Sequence, residues 1–72
     1  MPEPELRRYQ PQWSVEELTA FFLVKDGSGQ KVAFIYFEED PDRRSASKLP
    51  THGEARRIAV NIAKLSDLLQ KM

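Results

Sequence analysis

Residues 20–38 read AFFLVKDGSGQKVAFIYFE, and the fold turns on them. Two runs rich in β-branched and aromatic residues, 20–25 and 31–38, flank the turn formers Asp26-Gly27-Ser28-Gly29. That pattern predicts an antiparallel β-hairpin over 20–38. Centring the turn on Gly27-Ser28 sets Phe21 opposite Phe34 and Leu23 opposite Val32 on one face. On the other face Phe22 meets Ala33, Ala20 meets Ile35 and Leu18 meets Phe37. Such opposed pairs are the stabilising unit of a sheet. Both faces come out apolar, and a lone hairpin is marginal in water. Each face therefore needs a cover.

One cover is legible downstream. Thr51 followed by Glu54 is a capping box, and Pro50 before it holds the chain out of the helical region. Ala55, Ile58, Ile62, Leu65 and Leu69 then recur at intervals of 3 and 4, one stripe of a helix over about 52–70. Ala59, Ala63 and Ser66 flank the stripe with small side chains that permit close approach to a sheet. For the second face the candidates are Tyr9 and Trp13 from the N-terminal segment, or a second copy of the chain.

Upstream, Trp13-Ser14-Val15-Glu16-Glu17-Leu18 carries another capping box (Ser14, Glu17) with Trp13 and Leu18 placed for a hydrophobic staple. It predicts a short helical turn near 15–19; the alternative is a stretch already extended and running into the next strand. Between hairpin and helix, residues 44–49 (RSASKL) are a candidate third strand with Ala46 facing inward. Residues 1–8, with two of the chain's five prolines, read as a disordered or loosely held tail. The expected class is α+β. A small antiparallel sheet of two or three strands carries one long C-terminal helix, in a single small domain over 9–72.

Composition narrows the chemistry. A chain of 72 residues buries only roughly 60% of the surface its unfolded form exposes, so its stability is marginal. It has no cysteine, hence no disulfide or thiolate site, which fits a reducing cytoplasm. No apolar run approaches the roughly 20 residues that span a bilayer, and the first residues do not form a signal peptide. A cytoplasmic location is the expectation. His52 has no histidine or cysteine at ligand spacing, and the serines have no other histidine to pair with. Glu38, Glu39, Asp40 and Asp42 lack the spacing of a calcium loop, and GSG at 27–29 is too short for a phosphate loop. These readings lead us to expect no enzyme activity and no catalytic, cofactor or metal residue.

The formal net charge is zero, but it hides an asymmetry. Residues 1–42 hold nine acids and four bases, and residues 43–72 hold two acids and seven bases. Arg43, Arg44, Lys48, Arg56 and Arg57 fall within fifteen residues and form the one candidate binding patch, suited to phosphates or an acidic protein surface. Against it stands intramolecular pairing of Arg43 and Arg44 with the acids at 38–42. The strand aromatics Phe21, Phe22, Phe34, Tyr36 and Phe37 suit base stacking in principle, but core packing is their favoured role in so small a chain. Tyr36, with its hydroxyl, suits a partly wet site.

WSVEEL at 13–18, YFEEDPDRRSA at 36–46 and EARRIAVNIAKL at 54–65 together resemble a group of short uncharacterised proteins common in alphaproteobacteria, with no established activity. The resemblance implies a bacterial cytoplasmic origin and supplies no catalytic or binding residue. Two functional expectations remain. The first is a non-enzymatic protein-interaction module with an unknown protein partner or as a homodimer, off the membrane; the alternative is a nucleic-acid-binding protein using the basic cluster at 43–57.

Overall fold

A computed structural model describes residues 9–70, with side chains as far as Leu68. The tail read at 1–8, and Leu69 of the helix stripe, lie outside what is described. The order of elements is β1 (Ser14–Glu17), β2 (Phe21–Lys25), β3 (Lys31–Tyr36), α1 (Pro41–Ser47) and α2 (His52–Gln70). The three strands form one antiparallel sheet in the order β1-β2-β3, and α2 packs across one of its faces. The class is α+β, as the pattern of the sequence implies.

The hairpin forms, but its register is shifted. Phe21 pairs with Tyr36, Phe22 with Ile35, Leu23 with Phe34 and Val24 with Ala33, two residues away from the expected pairing. Asp26 is the cause. Its Oδ1 accepts from the Ser28 and Gln30 backbone N–H groups at 2.9 and 2.7 Å, and the Gly29 N–H donates to its carbonyl. This builds a wider turn over 26–29 than a two-residue hairpin loop, closed by Gly29 at φ 94, in the region that favours glycine. A shift of two keeps every side chain on its face. The irregular step between Val24 and Lys25, opposite Lys31, lets Val32 join Ala33 against the core.

The stretch with the capping box at Ser14 and Glu17 is not a helical turn over 15–19. It is β1, which pairs Ser14 with Lys25, Val15 with Val24, Glu16 with Leu23 and Glu17 with Phe22. Four or five residues cannot nucleate a helix alone. Pairing along the free edge of β2 satisfies the same backbone groups and sends Trp13 and Val15 against the core.

The third strand expected at 44–49 is likewise a helix, α1, with Ala46 exposed. Asp40 is its N-cap, accepting from the Asp42 and Arg43 N–H groups, and Pro41 stands in the first turn where its missing N–H costs nothing. Lys48 in the left-handed region ends it, donating its N–H to the Arg44 carbonyl.

The core is one face of the sheet closed by α2: Phe22, Val24, Ala55 and Ala59, joined by Trp13, Val15, Ala33, Ile35, Phe37, Ile62 and Ala63. The capping box at Thr51 and Glu54 forms as expected, with N–H to side-chain oxygen distances of 2.9 and 3.1 Å. The stripe that meets the sheet is rotated from the expected one. Ala55, Ala59 and Ser66 are buried, while Ile58 and Leu65 are 44% and 45% exposed. Small residues let the helix approach closely, and the large aliphatic side chains turn outward along one flank.

Candidate interaction surface

Alternation along the strands sorts the aromatics. Phe22 and Phe37 point toward α2 and stack 5.4 Å apart. Phe21, Phe34 and Tyr36 point the other way. Phe21 lies 5.4 Å from Phe34 and 4.9 Å from Tyr36, ring centre to ring centre, so the three make one cluster. Phe34 and Tyr36 are each 48% exposed, whereas Leu23 between the strands is 6% exposed, roofed by its neighbours on the same face. Core packing thus accounts for two of the five strand aromatics, and the wet position anticipated for Tyr36 is where it lies.

Neither segment expected to cover this outer face does so. Trp13 packs on the α2 side, where its backbone N–H donates to the Ser66 hydroxyl at 3.3 Å, and the Tyr9 ring meets its ring edge-on at 5.9 Å. Helix α1 packs on no strand. Among the described residues nothing lies across Phe21, Phe34 and Tyr36. Of the charged side chains of this face, Glu16 and Lys25 are paired with each other at 2.8 Å, and Lys31, the register partner of Lys25, stands exposed at the turn end of β3.

The five cations of the candidate patch are carried on α1, its C-cap and α2. Arg43 meets Glu38 at 3.5 Å, which fits intramolecular pairing for that residue. Arg44 and Arg57 flank Glu54. That carboxyl is held below its usual range chiefly by the Thr51 backbone N–H and hydroxyl, with smaller help from the two arginines. Lys48 caps α1. Arg56 and Arg57 are adjacent on α2 and, with Asn61 and Lys64, border a shallow hollow on the helix's solvent side, away from the aromatic face. Lys64, seven residues after Arg57, shares its flank of the helix and joins the pair there.

The side chains that might have carried chemistry serve the fold. His52 Nε2 lies 2.9 Å from Glu17 Oε2, and its ring sits 5.1 and 4.8 Å from Phe22 and Phe37. Ser66 is buried, donating to the Ala63 carbonyl. Among the described residues no three potential ligands group for a metal, and no helix is long and apolar enough to cross a membrane. Comparison with known protein families, with curated proteins and with solved structures finds no match for this chain.

Proposed function

We propose that this protein is a non-enzymatic interaction module of the bacterial cytoplasm that binds protein through the open face of its sheet. One observation carries the reading: three clustered aromatic rings, two of them half exposed, stand on a rigid sheet whose other face is already closed. A chain this small has few apolar residues to spare, and an exposed apolar cluster rimmed by polar residues marks an interaction site. The face suits an apolar protein segment better than a nucleic acid. Stacked bases bring phosphates that need cations beside the rings; of the two lysines on this face Lys25 is paired with Glu16, and Lys31 stands at the turn end of β3, away from Tyr36.

Selection from a displayed peptide library tests this. Apolar peptides are expected to be enriched on the wild type and to lose at least about tenfold in affinity for the double variant Phe34→Ser, Tyr36→Ser, as for removal of anchoring aromatics. Equal binding by the folded double variant would reject the reading.

A second reading rests on the outer side of α2, where Arg56, Arg57 and Lys64 border one hollow. It takes phosphates. Its signature is affinity for DNA or RNA that falls linearly with log salt, at a slope near −0.9 per contacted phosphate on duplex DNA.

A further inference from the structure

We propose that β3 pairs antiparallel with β3 of a second copy, joining two three-stranded sheets into one of six strands. This rests on the reading above for the role of the open face, but a separate observation carries it: the unprotected edge of β3.

The longest strand of the sheet lies at its edge. The Phe37 N–H donates to the Ala20 carbonyl on the β2 side. In an antiparallel ladder alternate residues aim their backbone groups at opposite neighbours, so those of Phe34 and Tyr36 aim outward. Neither has a backbone partner among the described residues. Natural edges are blunted by charge, proline, bulges or brevity. The other edge, β1, follows that rule with four residues and two glutamates. Beyond the irregular step at Lys31 and Val32, the stretch 33–37, AFIYF, carries no charge and no proline.

Symmetry and one hydrogen bond choose the register. A two-fold axis normal to the sheet keeps both outer faces on one side and must pass through a residue position. The Glu38 N–H is already taken by the Pro50 carbonyl at 3.0 Å, which closes the edge beyond Phe37. Centring the axis on Ile35 would run Val32 of the second copy into Glu38. Centring it on Phe34 sets Phe34 against Phe34 and Ala33 against Ile35, and keeps the second copy short of that stop.

Apolar area agrees. The flank of α2 with Val60 and Asp67 borders β1 through Trp13 and Val15, so the opposite flank, with exposed Ile58, Leu65 and Leu68, lies on the β3 side. The second copy covers that flank as well. Half-exposed side chains of this size leave about 100 Å² each, which with the strand edge amounts to roughly 1,000 Å² over two copies, the low end of specific interfaces.

Sedimentation from about 1 to about 300 µM, a range bracketing the affinity of such a small interface, tests the pairing. A monomer–dimer equilibrium with Kd on the order of 10 µM is expected. Phe34→Pro removes an outward N–H and spares the β2 ladder, so it should give a folded monomer throughout. Phe34→Lys and Phe34→Glu, each of which sets like charges against each other across the axis, should each be monomeric alone and pair when mixed. If Phe34→Pro does not fold, the mixture decides. A wild type that stays monomeric, a folded Phe34→Pro that dimerises, or a Phe34→Lys that dimerises as well as the wild type overturns the proposal. Phe21→Ser, on β2 and away from the edge, should keep the dimer and lose peptide binding, so failure of this inference and of the binding reading are read separately.

Discussion

Phe22→Ala is expected to leave the chain largely unfolded at room temperature, while Phe21→Ser, one residue earlier, is expected to stay folded. Phe22 is 1% exposed at the centre of the core, against Val24, Ala55, Ala59 and the rings of Phe37 and His52. Truncating a buried phenylalanine costs about 3–5 kcal/mol. A core in a domain this small rarely supplies more than about 3–5 kcal/mol in total. The loss is therefore comparable with the whole stability. Phe21 lies on the open face against Phe34 and Tyr36. Losing those cross-strand contacts costs about 1–2 kcal/mol. Circular dichroism melts of both variants check the contrast, and equal melting points would mean that the two faces are assigned wrongly.

Asp26→Asn and Asp26→Ala are both expected to lower Tm by on the order of 10 °C, the conservative change helping little. The side chain is 4% exposed and accepts five hydrogen bonds. Oδ1 takes the Ser28 N–H and hydroxyl and the Gln30 N–H; Oδ2 takes the Gln10 N–H and the Gln30 side-chain amide. An asparagine supplies one such oxygen and aims its own N–H groups at the remaining donors. The hub also ties the N-terminal segment to the turn, since the Gly27 N–H donates to the Gln10 carbonyl at 2.9 Å. A Cβ on Gly27 would collide with the Pro11 carbonyl, so that glycine permits the approach.

Burial is the largest influence on the Asp26 carboxyl and pushes its pKa up. The hydrogen bonds from Gln10, Gln30 and Ser28 together outweigh burial and hold it well below the usual carboxylate range. A group whose folded pKa is depressed contributes its stability above the unfolded value of about 3.9 and loses it as pH falls from there toward the folded value. The Tm difference between wild type and Asp26→Asn should thus be constant near neutrality and shrink below about pH 4. A difference that stays fixed down to about pH 2 would contradict the account of this turn.

The hairpin and α2 were legible because their signals are local and periodic. Alternation marked two strands, and Thr51 with Glu54 marked the start of a helix whose capping box forms as read. The segment of β1 was ambiguous because Ser14 and Glu17 fit a capping box, while pairing with β2 is a tertiary event no short window contains. Helix α1 carried a signal that went unused: Asp40 followed by Pro41 is N-cap chemistry, and it outranked the strand reading of 44–49. The rotation of α2 has a different origin. Periodicity located its apolar side, but whether alanines or large aliphatics meet the sheet depends on how closely the two approach.

The same limit applies to the candidate surface. Alternation showed two apolar faces on the hairpin and could not say which one α2 would cover. Small-domain economy then favoured the core for the rings, with Tyr36 alone marked for a wet site, and three of the five lie outside it. The basic cluster, close in sequence, is carried on two helices, with Arg44 of α1 and Arg57 of α2 both beside Glu54.

The most direct test of the central claim is a nuclear magnetic resonance titration of the isotopically labelled protein with a peptide enriched on the wild type. Amide shifts centred on Phe21, Leu23, Phe34 and Tyr36, with Arg56, Arg57 and Lys64 unmoved, are the expected result. Shifts confined to Arg56, Arg57 and Lys64 on the outer side of α2, with the strand residues unmoved, would contradict it.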